Sequence, residues 1–292
     1  MKSKKKRVRE ITDYIKFVFP MLILYILFFI LPLFQTIGYS FTDYNGINPK
    51  KEFTGLTNYF DVFQDKWFYN SMAFTGKSVL LMILLANVLG FLLALALNTK
   101  IRSRNILRAI VFCPFVFNNV TVGFIWQFLL GRFMTDLYPL TGWKVFNIGW
   151  LSDNSLVLYS VVFVKLWQSI GYFMVIYLAG LQLLPQDPLE AAVIDGCTGI
   201  KMIRYITIPL MKPTAFVCIF LAITESLNMF PLIMSLTNGG PGHASENISL
   251  YIYNEAFKSH RMGYASALAV ILTIIMTIIA GLQMKLTRED AG

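Results

Sequence analysis

The chain has 292 residues, of which 56% are hydrophobic and only 14% charged, with a formal net charge of +9 and a mean hydropathy of +0.61. Soluble domains are charged at roughly a quarter of their positions, so this composition excludes a soluble globular enzyme. The bases cluster at the edges of apolar runs, which assigns the positive charge to a membrane border and leaves no nucleic acid partner.

Residues 1–16 form a basic tail with Lys2, Lys4, Lys5, Lys6, Arg7 and Arg9, and the positive-inside rule holds such a tail in the cytoplasm. The apolar run behind it is too long for a cleaved signal peptide and lacks a small-residue cleavage pattern, so an uncleaved helix is expected. Charge-free runs cover 17–42, 78–99, 109–131 and 262–284, each sufficient for a span of about 20 residues. Two more, 154–186 and 213–245, are interrupted once each, by Lys165 and Glu225. An all-α membrane protein with six transmembrane helices over 17–292 is predicted.

The connections alternate in charge. Residues 43–66 hold three bases against four acids, an external composition, whereas Lys100, Arg102, Arg104 and Arg108 stand without an acid and mark a cytoplasmic loop. The 132–153 loop is balanced and carries Trp143 and Trp150, suited to an outer interface. Both termini are therefore expected in the cytoplasm, the C-terminus with Lys285 and Arg288. Cys113, Cys197 and Cys218 are odd in number and scattered, which suggests neither a disulfide framework nor a metal site.

The fourth connection, 187–213, reads DPLEAAVIDGCTGIKMIRYITIPLMKP. Asp187 suits an N-cap, Pro188 the first helical position and Glu190 the capping-box spacing. Gly196 can close the helix in the left-handed conformation, leaving 188–195 as about two turns, roughly 12 Å long. A second helix is predicted over about 199–208, ahead of Pro209 and Pro213.

Glu190-Ala191-Ala192, Asp195-Gly196 and Ile208-Pro209 resemble the EAA loop of ABC-importer membrane subunits, most closely the carbohydrate-uptake permeases. Leu178-Ala179-Gly180-Leu181-Gln182 with Pro185, Thr237-Asn238-Gly239-Gly240-Pro241-Gly242 and Gly263-Tyr264-Ala265-Ser266-Ala267 are similar to the same family. The GGP element resembles the permease type of the maltose-system F subunit. The chain departs from the pattern at Cys197, where alanine is usual, and at Phe230-Pro231, where the family often has Phe-Asp.

The resemblance implies an ABC type I importer permease in a prokaryotic cytoplasmic membrane, paired as a heterodimer with a second, related permease. It implies a dimeric ATPase subunit that holds ATP and Mg, with Glu190, Ala191, Ala192, Asp195 and Gly196 at the contact, and no cofactor in this chain. An external solute-binding protein would deliver a carbohydrate, an oligosaccharide, although relatives also carry sugar phosphates. No GxxxxGK[ST], HExxH or GxSxG motif occurs, so no enzymatic activity is expected here.

Polar groups at mid-depth need partners or water. Counting 1.5 Å per residue puts Asn118 and Asn119 about 15 Å from the cytoplasmic edge of span three, Lys165 at similar depth in span four, and Glu225 and Asn228 about 18 to 24 Å up span five. A cavity at that level would use Lys165, Glu225, Asn118, Asn119, Gln168 and Asn228 for hydrogen bonds and Trp126, Trp167 and Tyr172 for stacking, a lining that suits sugars. The other reading makes Lys165 and Glu225 a buried ion pair that fixes helix packing, with the asparagines bonding neighbouring helices and the aromatics facing neighbours or lipid. Two further functions stay open on the residues alone: a proton-coupled secondary transporter using Lys165 and Glu225, and a membrane enzyme using Glu225. Pro114 is expected to bend span three.

Overall fold

Peptide groups in hydrocarbon must be satisfied within the protein, and helices do this segment by segment. The computed structural model is helical, with one isolated antiparallel bridge, Thr42 to Phe53, among the described residues. Described are Lys16, residues 18–99 and residues 102–289. The basic tail before Lys16, Lys100 and the side chain of Arg288, read above as orientation markers, lie outside the described residues.

In chain order the helices begin with α1 (Val18–Tyr39), α2 (Thr57–Gln64), α3 (Lys66–Leu97), α4 (Arg104–Val116), α5 (Asn119–Thr141) and α6 (Val157–Gln182). They continue with α7 (Gln186–Ile194), α8 (Ile200–Leu210), α9 (Lys212–Leu227), α10 (Phe230–Leu236), α11 (Ile248–Tyr253) and α12 (Met262–Glu289). Four of these, α1, α3, α6 and α12, are unbroken and apolar enough to cross a membrane. By length and composition alone the bent pairs α4–α5 and α8–α9 raise the count to as many as six, the number expected from the charge-free runs, although α8 itself lies in the 187–213 loop.

Three boundaries differ from expectation. Span two starts at Lys66 instead of 78, because Asp65 caps the helix by accepting from the Trp67 N–H at 2.8 Å and Lys77 is tolerated on its exposed surface. Span three is broken, α4 and α5 meeting at 93°. Pro114 lies in a tight turn over Cys113–Val116, beside the expected bend, and the chain then runs extended through Phe117 and Asn118. The run over 213–245 is likewise interrupted. Helix α9 stops at Asn228, Pro231 sits in the first turn of α10, and after Leu236 positive φ at Asn238, Gly239, Gly242 and His243 turns the chain into a loop.

The 187–213 loop has the two predicted helices, with a different start. Helix α7 begins at Gln186, its N-cap is Pro185, and no side chain caps it, so Asp187 and Glu190 do not form the capping box. Its first turn is free to hold Pro188 because those N–H groups have no acceptor within any helix. Asp187 instead places a carboxylate in the first turn, where the helix dipole favours it. The other end is as expected. Gly196 has φ +74°, and Cys197 N–H donates to Ala192 O at 2.8 Å while Gly196 N–H donates to Val193 O at 3.0 Å, the paired bonds of a Schellman closure. Pro209 lies inside α8, where it offers no N–H to the turn before it, and Ile203–Thr207 widen there into a π-type turn.

The chain divides into two compact units. One joins residues up to 64 with Ile252–Ile275, and the other joins Asp65–Tyr251 with residues from 276. In the first unit, Asn58 Nδ2 donates to the carbonyls of Ser40 and Thr42, both at 2.9 Å, and Gly263 N–H donates to Tyr44 O at 2.7 Å. A Cβ on Gly263 would strike the Thr42 carbonyl, which accounts for the glycine that opens the Gly263–Ala267 motif.

In the second unit the most buried helix is α6. Small residues let its neighbours close on it, as membrane helices without a water-driven force require. A Cβ on Gly90 of α3 would stand 2.9 Å from Phe173 Cβ, and one on Gly171 would fall on the backbone of Val111 and Phe112 in α4. Gly123 of α5 meets Ser235 and Leu232 of α10 in the same way. The GGP loop is tied down here too: Asn70 Nδ2 donates to His243 O at 2.9 Å, Ile248 N–H to Thr75 Oγ1 at 3.0 Å, and the Tyr251 hydroxyl bonds the Asp65 carboxylate.

Gly171→Val should therefore separate α4 from α6 and cost about 1–3 kcal/mol, read as a lower Tm of the purified protein. Gly76→Ala, whose Cβ would meet nothing within 4 Å inside a helix, should not lower Tm.

Candidate functional site

The two interrupted spans come together against the middle of α6. The carbonyl of Phe117, released from helical bonding, accepts from Gln168 Nε2 at 2.9 Å. Asn118 caps α5 by accepting from Val120 N–H at 2.8 Å, so its side chain closes the break that it borders. Lys165, one turn before Gln168, is 2% exposed. Its Nζ lies 2.5 Å from Glu225 Oε2 of α9 and donates to Asn119 Oδ1 of α5 at 3.4 Å. Two polar side chains on α6 thus answer both breaks, Gln168 the gap in span three and Lys165 the last turn of α9.

The ion pair is lopsided. The Lys165 side chain is 3% exposed and that of Glu225 27%, so the acid keeps partial access to its surroundings while the amine depends on its partners. Asn118 and Asn228 are exposed, and the Asn228 side chain makes no hydrogen bond among the described residues. Next to the breaks, Trp126 Nε1 and Gln168 Oε1 are buried and unbonded among the described residues. This is a set of donors and acceptors at membrane depth with capacity left over.

The aromatic residues contact one another. Tyr172 stacks flat on Phe115, with centroids 4.5 Å apart and planes 2° apart. Trp126 meets Phe163 and Trp167 edge-on, each at 5.3 Å. These rings pack on one another, the arrangement their quadrupoles favour, and Trp167 stays 37% exposed. Phe115, Phe163 and the Phe117 carbonyl belong to the site and were not anticipated, the last because a main-chain atom freed by a break is announced by no residue type. Tyr177 O–H donating to Asn87 Oδ1 at 2.6 Å adds a polar joint from α6 to α3, signalled only by an amide inside the 78–99 run.

The second site is the α7–α8 loop. Glu190, Ala191, Asp195 and Gly196 are exposed, while Ala192 is buried against the chain itself. Beside them Ile194 is 86% and Ile200 83% exposed, with Val193 and Leu183 also uncovered. A loop that shows this much apolar surface around a rigid glycine turn has the character of an interface.

Residues 86–288 match the family described as binding-protein-dependent transport system inner membrane component. Over 291 residues the chain is 35% identical to the probable starch degradation products transport system permease protein AmyD of Thermoanaerobacterium thermosulfurigenes, covering 99% of this chain and 98% of that protein. It is 34% identical over 268 residues to the multiple sugar-binding transport system permease protein MsmF of Streptococcus mutans serotype c, covering 92% of each. The fold is similar to that of a chain in the crystal structure of a bacterial ABC transporter involved in the import of the acidic polysaccharide alginate. There the TM-score is 0.82, the identity 21% and the coverage 99% of both chains.

The asymmetry of the ion pair sets an order of damage. Glu225→Ala strands the buried amine and should cost about 3–5 kcal/mol in thermal stability, more than Lys165→Ala, which strands an acid with partial access. The double variant should recover most of the loss. Equal damage from all three variants would contradict this reading of the pair.

Proposed function

Since the chain belongs to the binding-protein-dependent transport system inner membrane component family, we propose that it forms half of the membrane path of an ATP-driven ABC importer for a carbohydrate. The observation that carries the proposal is the convergence of two interrupted spans on Lys165 and Gln168, with exposed Asn118 and Asn228 at the same breaks. Exposed amides at membrane depth need water, a polar solute or a partner helix, and a translocation path supplies these. The sugar-transport names of the two relatives and the amide-rich chemistry of the breaks support an oligosaccharide as the solute.

In this reading the chain does no covalent chemistry. A solute-binding protein releases the sugar on the external side, and a second, related permease completes the path. Asn118, Asn228 and the accessible edge of Glu225 exchange hydrogen bonds with hydroxyls as the solute passes, while Trp126 Nε1 and Gln168 Oε1 stay buried. Lys165 holds Glu225 in place from behind. ATP and Mg bind a pair of ATPase subunits on the cytoplasmic side, and closure of that pair reaches the spans through Glu190, Ala191, Asp195, Gly196 and the exposed Val193, Ile194 and Ile200. Helices that move as rigid bodies convert that closure into tilting. A proton-coupled carrier would use the Lys165–Glu225 pair but has no use for this apolar loop surface.

Purifying the chain from its native membrane should bring down an ATPase and a second permease. Gly196→Pro cannot adopt φ +74° and should abolish ATPase recovery, while Glu190→Ala should reduce it or uncouple hydrolysis from transport. A chain that purifies alone and transports only with a proton gradient would overturn the importer reading.

A further inference from the structure

We propose that a groove between α3, α6 and α8 seats an anionic phospholipid from the leaflet that borders the 187–213 loop. The groove has a volume of ≈ 520 Å³ and an almost wholly apolar lining that includes Val88, Leu92, Leu95, Ile200, Ile203 and Met211. Residues 88–95 lie in the last three turns of α3, within about 15 Å of its end at Leu97 by 1.5 Å per residue, the depth of one leaflet. Leu92 is 52% exposed, and Ile208, at the opposite wall, is 48% exposed. A concave apolar wall at that depth takes an acyl chain.

The bases that follow the lining residues Ile200, Ile203 and Met211 in sequence point to the headgroup. Helix α8 forms one wall of the groove and carries Lys201 and Arg204, with Lys212 just after it, and no acid occurs between Gly199 and Lys212. All three bases are exposed, and none is in an ion pair among the described residues. The nearest acid after them in sequence, Glu225, is already paired with Lys165. Unpaired bases beside an acyl-sized groove at a membrane edge match a phosphate-bearing, net negative headgroup. A zwitterionic lipid would satisfy the groove and leave the bases unanswered. Because the groove is bounded on one side by α8 and on the other by α3, the lipid would bridge the loop and a membrane span.

The test uses the purified complex, stripped of lipid and titrated with dioleoylphosphatidylglycerol or dioleoylphosphatidylcholine, with retained lipid counted by native mass spectrometry. The expected result is retention of about one phosphatidylglycerol per chain at this site, preferred over phosphatidylcholine by at least tenfold. Lys201→Ala with Arg204→Ala should cut the preference about fivefold for each base removed. Val88→Trp, which fills the groove from a lipid-exposed position, should abolish retention of both lipids while the complex keeps its assembly and Tm. Equal retention of the two lipids, or a preference untouched by the double variant, would overturn the proposal. So would disulfide capture of Leu92→Cys by a cysteine of a partner permease, which would show protein in the groove.

Discussion

A lysine amine buried in the middle of a membrane helix is the constraint around which the second unit is arranged. Lys165 cannot reach either end of α6, so its charge has to be answered at its own depth. Glu225 answers it from α9 and Asn119 from α5, and these residues stand beside the two places where helices are interrupted. Interrupted helices carry costs of their own, since each break releases backbone groups in a medium without water. Asn118 and Gln168 take up part of that deficit at the first break. Charge, breaks and amides are thus one system, in which each element would be costly alone.

Glycines make the system compact. Gly171 brings the backbone of α4 against α6, and Gly123 brings α5 against α10, so both halves of span three are held by close contacts on either side of the gap. The stacked Phe115–Tyr172 pair and the Trp126–Phe163–Trp167 cluster fill the space around the breaks. The aromatic content therefore does structural work at the site, and on the proposed path the hydroxyl-binding chemistry would fall to amides and one carboxylate.

The crossings were legible because membrane energetics is written in the absence of charge, a property that survives even where the helix does not. The interruptions were only half legible. Pro114 signals that α4 cannot continue undisturbed, but the gap sits after it, at Phe117 and Asn118, where an amide able to cap a new helix follows a residue of no special propensity. Depth counting put Lys165, Glu225 and Asn119 at one level but left open whether they bond one another or face a cavity, since that choice depends on how the helices are turned. The orientation of the rings did not follow, because it is decided by packing against residues far away in sequence. At the loop, Gly196 announced the turn correctly, while Asp187 and Pro188 suggested a start that Gln186 and Pro185 take instead, two first-turn arrangements that local propensity separates poorly.

Helix α8 meets α9 at 71°, and the joint, Met211, is only 2% exposed and packed where Gly180 of α6 leaves room for it. Eleven residues of helix give an arm of about 16 Å. An arm of that length hinged at a buried fulcrum turns a displacement of about 3 Å at Ile200 into a rotation of roughly 10° by simple geometry on that rise. On the proposed function the elbow would work as a gear: travel at the exposed end, if a motor protein pushed there, would become torque at a residue already wedged between membrane helices.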